Sequence, residues 1–162
     1  MSIPHYEYGV ATSDKFSIHS GREFLQAIVD GKLPKPPMCK TLGYWLAEVG
    51  EGFVAFEGET GEHLLDPVGT VHGGWALTII DSVTACAAYS LLPAGTAFTT
   101  IETKGNFSRP ILHDTGRVRA EAVVVSQTRQ IISTEAKLLG PGGKVLAHGT
   151  STIMVMPAPR AA

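Results

Sequence analysis

The chain has 162 residues, a formal net charge of −2 and a pI near 6.3, a length that one domain with its own hydrophobic core fills. That balance leaves no basic field for nucleic acid, and the two cysteines, Cys39 and Cys86, show no metal or redox spacing. With 17% charged residues and a mean hydropathy of +0.13, the chain is apolar for a small monomer, so part of its surface is expected to be covered by a partner subunit.

The first segment, MSIPHYEYGVATSDKF, has no basic stretch followed by an apolar run, so no secretory signal is read and a cytoplasmic location is expected. Residues 1–19 read as irregular. Ser20-Gly21-Arg22-Glu23 is a capping box and predicts a short helix in which Phe24, Leu25, Ile28 and Val29 share a face, ended by Gly31. Lys32 to Pro37, KLPKPP, reads as a connector, and strands are predicted over Leu42–Glu48 and Gly52–Glu59 around a Gly50-Glu51-Gly52 turn. A long apolar helix follows from Trp75 to Leu92. From Ala97 onward the pattern is strand. Ile101, Thr103, Gly105 and Phe107 alternate with Glu102, Lys104 and Asn106; Val118–Val125 and Ile131–Leu139 follow, and Gly140-Pro141-Gly142-Gly143 turns the chain into Val145–Val155. This order predicts an α+β domain whose antiparallel sheet wraps one helix. Residues 1–39 read as an N-terminal extension, 40–156 as the domain and 157–162 as a flexible Ala/Pro-rich tail.

The long helix carries the chemistry. Thirteen of the 18 positions from Trp75 to Leu92 are apolar and they surround the helical wheel, which predicts a helix enclosed by other structure. Three hydroxyl residues and Asp81 interrupt it within ten positions, so no membrane span is expected. Enclosing an unpaired carboxylate is expensive, and this singles out Asp81 as the candidate nucleophile or general base. His72-Gly73-Gly74 stands at the helix start, where backbone N–H groups lack intrahelical partners and the dipole favours negative charge. Paired glycines let a ligand oxygen approach that backbone. Gly73 is the first candidate for an oxyanion donor, with Gly74 beside it. Thr78, Asp81 and Ser82 then form a polar stripe below. His72 has two readings, a ring that braces the turn or one that positions substrate or water. The remaining histidines show no metal-binding spacing, so no metal is expected.

GTVHGG before a helix, Asp81 nine residues after His72, NFSRP at Asn106 to Pro110, GRVRAEAVVVSQTRQ at Gly116 to Gln130 and GGKVLAHGTSTIMV at Gly142 to Val155 together resemble the hotdog-fold acyl-CoA thioesterases, in particular the PaaI-like branch of the 4-hydroxybenzoyl-CoA thioesterase superfamily. The resemblance spans roughly residues 40–156. It implies a hotdog fold, hydrolysis of small, medium or aromatic acyl-CoA thioesters, and no cofactor beyond the coenzyme A of the substrate. It implies a homo-oligomer, a dimer or dimer of dimers, in which the acid of one subunit faces the glycine N–H of another.

Residue by residue, the resemblance makes Thr100, ten positions before Pro110, a residue that orients the attacking water. Arg109 and Arg129 are candidates for the coenzyme A phosphates, which a guanidinium matches in geometry, and Asn106 belongs to the same strand end. Thr128 stands where the family commonly has glycine before the arginine. Asp66 replaces the usual amide six residues before His72; it is either a second active-site carboxylate, coupled to Asp81 and raised in pKa, or a turn residue ahead of Pro67. Trp75, Ile79, Tyr89 and Phe98 are expected to shape the acyl pocket. Two alternatives remain: a hotdog protein that binds acyl-CoA without hydrolysis, and a hotdog enoyl-CoA hydratase, against which stands the absence of a His after Asp81 in the helix.

Overall fold

The computed structural model describes residues 7–156; the predicted tail and the first six residues of the predicted extension lie outside them. Three short helices open the fold: α1 (Ser13–Ile18), α2 (Gly21–Val29) and α3 (Pro37–Leu42). The capping box of α2 is formed, with Ser20 N–H donating to Glu23 Oε2 at 2.8 Å and Ser20 Oγ accepting from Glu23 N–H at 3.3 Å. Helix α1 occupies a stretch expected to be irregular. It has six residues and no buried position, and it is held by tertiary packing, with the half-buried Phe16 ring 6.1 Å from Tyr89 and 6.5 Å from Phe24. The expected connector ends one residue early as well. Pro37 opens α3, a position where its missing N–H costs nothing, and Gly43 closes it at φ +67°. The first strand therefore starts at Tyr44 rather than Leu42.

Strands β1 (Tyr44–Val49) and β2 (Phe53–Glu59) precede the central helix α4 (Gly73–Tyr89), and β3 (Phe98–Phe107), β4 (Arg117–Gln127), β5 (Ile131–Leu139) and β6 (Val145–Val155) follow it. All six strands form one antiparallel sheet in the order β1-β2-β4-β5-β6-β3. The sheet wraps α4: Ile79, Ile80 and Val83 are fully buried against Val54, Ala120, Leu138 and Ile153. Close approach of helix to sheet depends on a glycine pair, Gly105 opposite Gly149. A Cβ at Gly149 would run into the Lys104 carbonyl and stand 2.9 Å from Ile80 Cγ2.

Strand β3 is an edge strand, and the register slips between Thr100 and Glu102. The slip turns Ile101 outward, 54% exposed, and Phe107 near the strand end is 56% exposed. An edge with two large apolar side chains and free backbone groups is a surface that natural folds ordinarily cover. One side of α4 is left open beside it. Asp81 therefore sits half-exposed at the protomer surface, and the fully enclosed helix expected from its composition is enclosed on its other sides only.

Candidate active site

His72 is the N-cap of α4. Its ring Nδ1 accepts the Gly74 N–H at 2.8 Å and its carbonyl accepts the Trp75 N–H at 2.9 Å, so two of the orphan donors at the helix start are spent. The Gly73 N–H, beside them in the turn, has no partner among the described residues. The loop before it is pinned by Val71 N–H to the Ile111 carbonyl and His72 N–H to the Leu64 carbonyl, both at 2.8 Å. The Phe107 ring covers Gly73 so closely that a Cβ there would lie 3.1 Å from Cζ. A free N–H at the positive end of a 17-residue helix is a donor for an oxygen that gains negative charge.

Two turns further along, Asp81 faces a groove of about 430 Å³ lined by Gly74, Leu77, Thr78, Thr100, Ile101, Glu102 and Thr103. Thr103 Oγ1 donates to Asp81 Oδ1 at 2.8 Å; Oδ2 accepts from no described residue. The polar stripe of α4 divides: Thr78 donates back to the Gly74 carbonyl at 2.8 Å, and Ser82 Oγ pairs with Tyr44 Oη at 3.0 Å, away from the groove. Trp75, Ile79 and Tyr89 are core residues and line neither this groove nor its neighbour. Trp75 Nε1 donates to the Leu42 carbonyl at 2.7 Å.

A second groove, about 320 Å³, adjoins the helix start and is lined by Asp66, Thr70, Gly73, Phe107 and Arg109 among others. Asp66 organises its loop. Oδ1 accepts from Val68 N–H at 2.9 Å and Thr70 N–H at 3.0 Å, and Oδ2 accepts from Thr70 Oγ1 at 2.6 Å. The Thr70 hydroxyl, followed by the Thr70 backbone N–H, holds the Asp66 carboxyl below its ordinary pKa. That direction is opposite to the one expected of a coupled carboxylate pair, and the bonds are those of a turn residue.

The remaining candidates are scattered. Thr100 lines the Asp81 groove, and Arg109 reaches the Val145 carbonyl with Nη1 at 2.7 Å, its other donors exposed. Arg129 lies in the β4–β5 turn, whose Gln130 carbonyl accepts from Val155 N–H. Val145 and Val155 bound β6, so the two arginines of one protomer stand roughly 30 Å apart along the strand. Thr128 spends its hydroxyl on Ile131 within the turn. Asn106 is exposed, opposite His148. Two further neighbours of the site, Thr103 and Phe107, are absent from the candidates that the sequence supplies. Their one signal is the alternation that places both on the inward face of β3 with Gly105. Among the described residues no group of three His, Cys, Asp or Glu is placed to hold a metal, and no helix is long and apolar enough to cross a membrane.

A long helix wrapped by a six-stranded antiparallel sheet, with a free N–H at its start and a carboxylate on its open side, is a hotdog fold of the thioesterase type. A sequence model of the thioesterase superfamily matches residues 68–147, which hold the helix start, Asp81 and β3. The chain is similar to that superfamily over this stretch, and its solved neighbours include PaaI-like proteins. It is similar to a phenylacetic acid degradation-related protein of Ralstonia eutropha JMP134 at 28% identity and TM-score 0.73, over 81% of this chain and 98% of that one. A thioesterase family protein of Silicibacter pomeroyi gives 26% and 0.70 over 82% and 98%. A mutant of the phenylacetic acid degradation protein PaaI of Thermus thermophilus gives 27% and 0.67 over 74% and 99%. No curated protein matches the chain. The superfamily match supports a thioester hydrolase.

Proposed function

We propose that the protein hydrolyses acyl-CoA thioesters at a site built by two copies of the chain, Gly73 of one and Asp81 of the other. The observation that carries this reading is a length. Gly73 and Asp81 are eight residues apart on one continuous helix, which separates them by about 12 Å along the axis. A carbonyl whose oxygen is held by the Gly73 N–H and whose carbon meets an Asp81 oxygen needs the two groups within roughly 6 Å. One protomer does not supply that pair. The uncovered β3 edge, with Ile101 and Phe107 exposed beside both grooves, is the surface a second copy would cover.

In this site the Gly73 N–H stabilises the oxyanion as the thioester carbonyl is attacked. Asp81 Oδ2, the oxygen left free by Thr103, either attacks the carbonyl carbon to form an anhydride that water then cleaves, or takes a proton from the water that attacks. In both routes the C–S bond breaks and coenzyme A leaves as its thiol. Arg109 and Arg129, on opposite ends of one sheet, serve the phosphates from different subunits.

The test is thiol release from a panel of short, medium and aryl acyl-CoAs, with EDTA present. Turnover that survives the chelator and falls by about a hundredfold or more in Asp81→Asn is expected. Binding without turnover across the panel would instead mark a non-catalytic acyl-CoA-binding protein.

A further inference from the structure

Behind Asp81 three hydroxyls stand in a row. Thr103 Oγ1, which donates to Asp81 Oδ1 at 2.8 Å, lies 3.0 Å from Ser151 Oγ, and Ser151 Oγ lies 2.7 Å from Thr84 Oγ1. Thr84 also reaches the carbonyls of Ile80 at 2.7 Å and Asp81 at 3.0 Å. The row thus begins at the side chain of Asp81 and ends at a hydroxyl beside its backbone. Ser151 is 3% exposed and Thr84 fully buried, so water does not compete for these contacts.

Proton counting gives the row a direction. A carboxylate only accepts, and Thr103 has one proton, so that proton belongs to Asp81. The 3.0 Å contact is then Ser151 donating to Thr103, and the 2.7 Å contact is Thr84 donating its one proton to Ser151. Ser151 belongs to β6 and Thr84 to α4, so Thr103, on the edge strand, is held directly by β6 and through Ser151 by α4. Oδ1 is thereby tied to the interior and Oδ2 is turned to the groove.

We infer that Thr103 is a positioning residue for Asp81, with Ser151 and Thr84 as its anchors. This rests on Asp81 carrying the reaction proposed above. Thr103 spends its one proton on the carboxylate, so its loss alters the aim of Oδ2 rather than removing a donor to the substrate. A misplaced catalytic group costs about ten- to a hundredfold in rate.

Thiol release by purified variants tests this. Thr103→Val, isosteric but without a donor, should lose about ten- to a hundredfold in kcat with KM within about twofold. Thr103→Ser should restore most of the loss. In an Asp81→Asn background Thr103→Val should cost nothing further, because the group it aims is gone. Ser151→Ala should show a smaller loss that disappears in a Thr103→Val background, and it serves in place of Thr103→Val should that variant not fold. Thr103→Val or Ser151→Ala with unchanged kcat, while Asp81→Asn is inactive, would overturn the positioning role and leave the proposed function standing. Near-normal turnover of Asp81→Asn would overturn both.

Discussion

Nδ1 of His72 accepts the backbone N–H of Gly74 at 2.8 Å, so the ring that precedes the paired glycines is committed to holding the first turn of α4. Gly73 keeps its N–H because His72 takes the next one. Removing the ring in His72→Ala should cost about 1 kcal/mol of stability and lower kcat, as the turn that aims Gly73 frays. Asparagine is a good N-cap, so His72→Asn should hold both stability and turnover. Thermal melts run beside kinetics check this; a His72→Asn variant that melts normally but does not turn over would show that the ring takes part in the chemistry.

Asp66 accepts three hydrogen bonds inside its own loop, and its pKa lies below the ordinary 3.8, chiefly through the Thr70 hydroxyl. A depressed folded-state pKa means the unfolded chain takes up the proton first as pH falls, so stability from Asp66 is complete above about pH 4 and is lost as pH drops through the folded-state value. The difference in melting temperature between the parent protein and Asp66→Asn should therefore persist from neutrality down to about pH 4 and shrink below it. The acidic limb of the kcat/KM profile should not move in Asp66→Asn. A limb displaced to lower pH would restore the coupled-carboxylate reading.

Gly149→Ala should destabilise the fold by about 3 kcal/mol, because the new methyl meets the Lys104 carbonyl, which the β3–β6 ladder holds in place. Gly105→Ala should be milder. There the nearest obstacle is Leu77 Cδ1 at 2.9 Å, the end of a side chain that can turn aside. Denaturant melts of the two variants compare them directly, and equal losses would contradict this account of how α4 approaches the sheet.

Much of this architecture is legible in the sequence. Ile131–Leu139 and Val145–Val155 form strands over the residues their alternation predicts, since turn residues bound both. Helices α1 and α3, six residues each, are too short for a period to register, and packing and a proline decide them. The half-exposure of Asp81 is hidden for another reason. Apolar content marks which residues prefer burial, but not that β3 would end the sheet with a bulge at Ile101 and leave that side of α4 open. Thr103 can be placed on the inward face of its strand, yet its link to Ser151 joins residues 48 apart, a register no local pattern carries.

The shared site is tested most directly by mixing two disabled chains. Asp81→Asn and Gly73→Ala should each be nearly inactive alone, the second because its methyl would crowd the donor against Phe107. If one copy supplies Gly73 and another Asp81, a mixed dimer holds one intact site and one doubly damaged site. Random reassortment of the two variants at equal concentration should then recover about one quarter of the parent turnover, since half the dimers are mixed and each carries one working site of two. Recovery near that level, appearing only after subunits exchange, is the predicted result; a mixture no more active than its components would contradict a site that spans two chains.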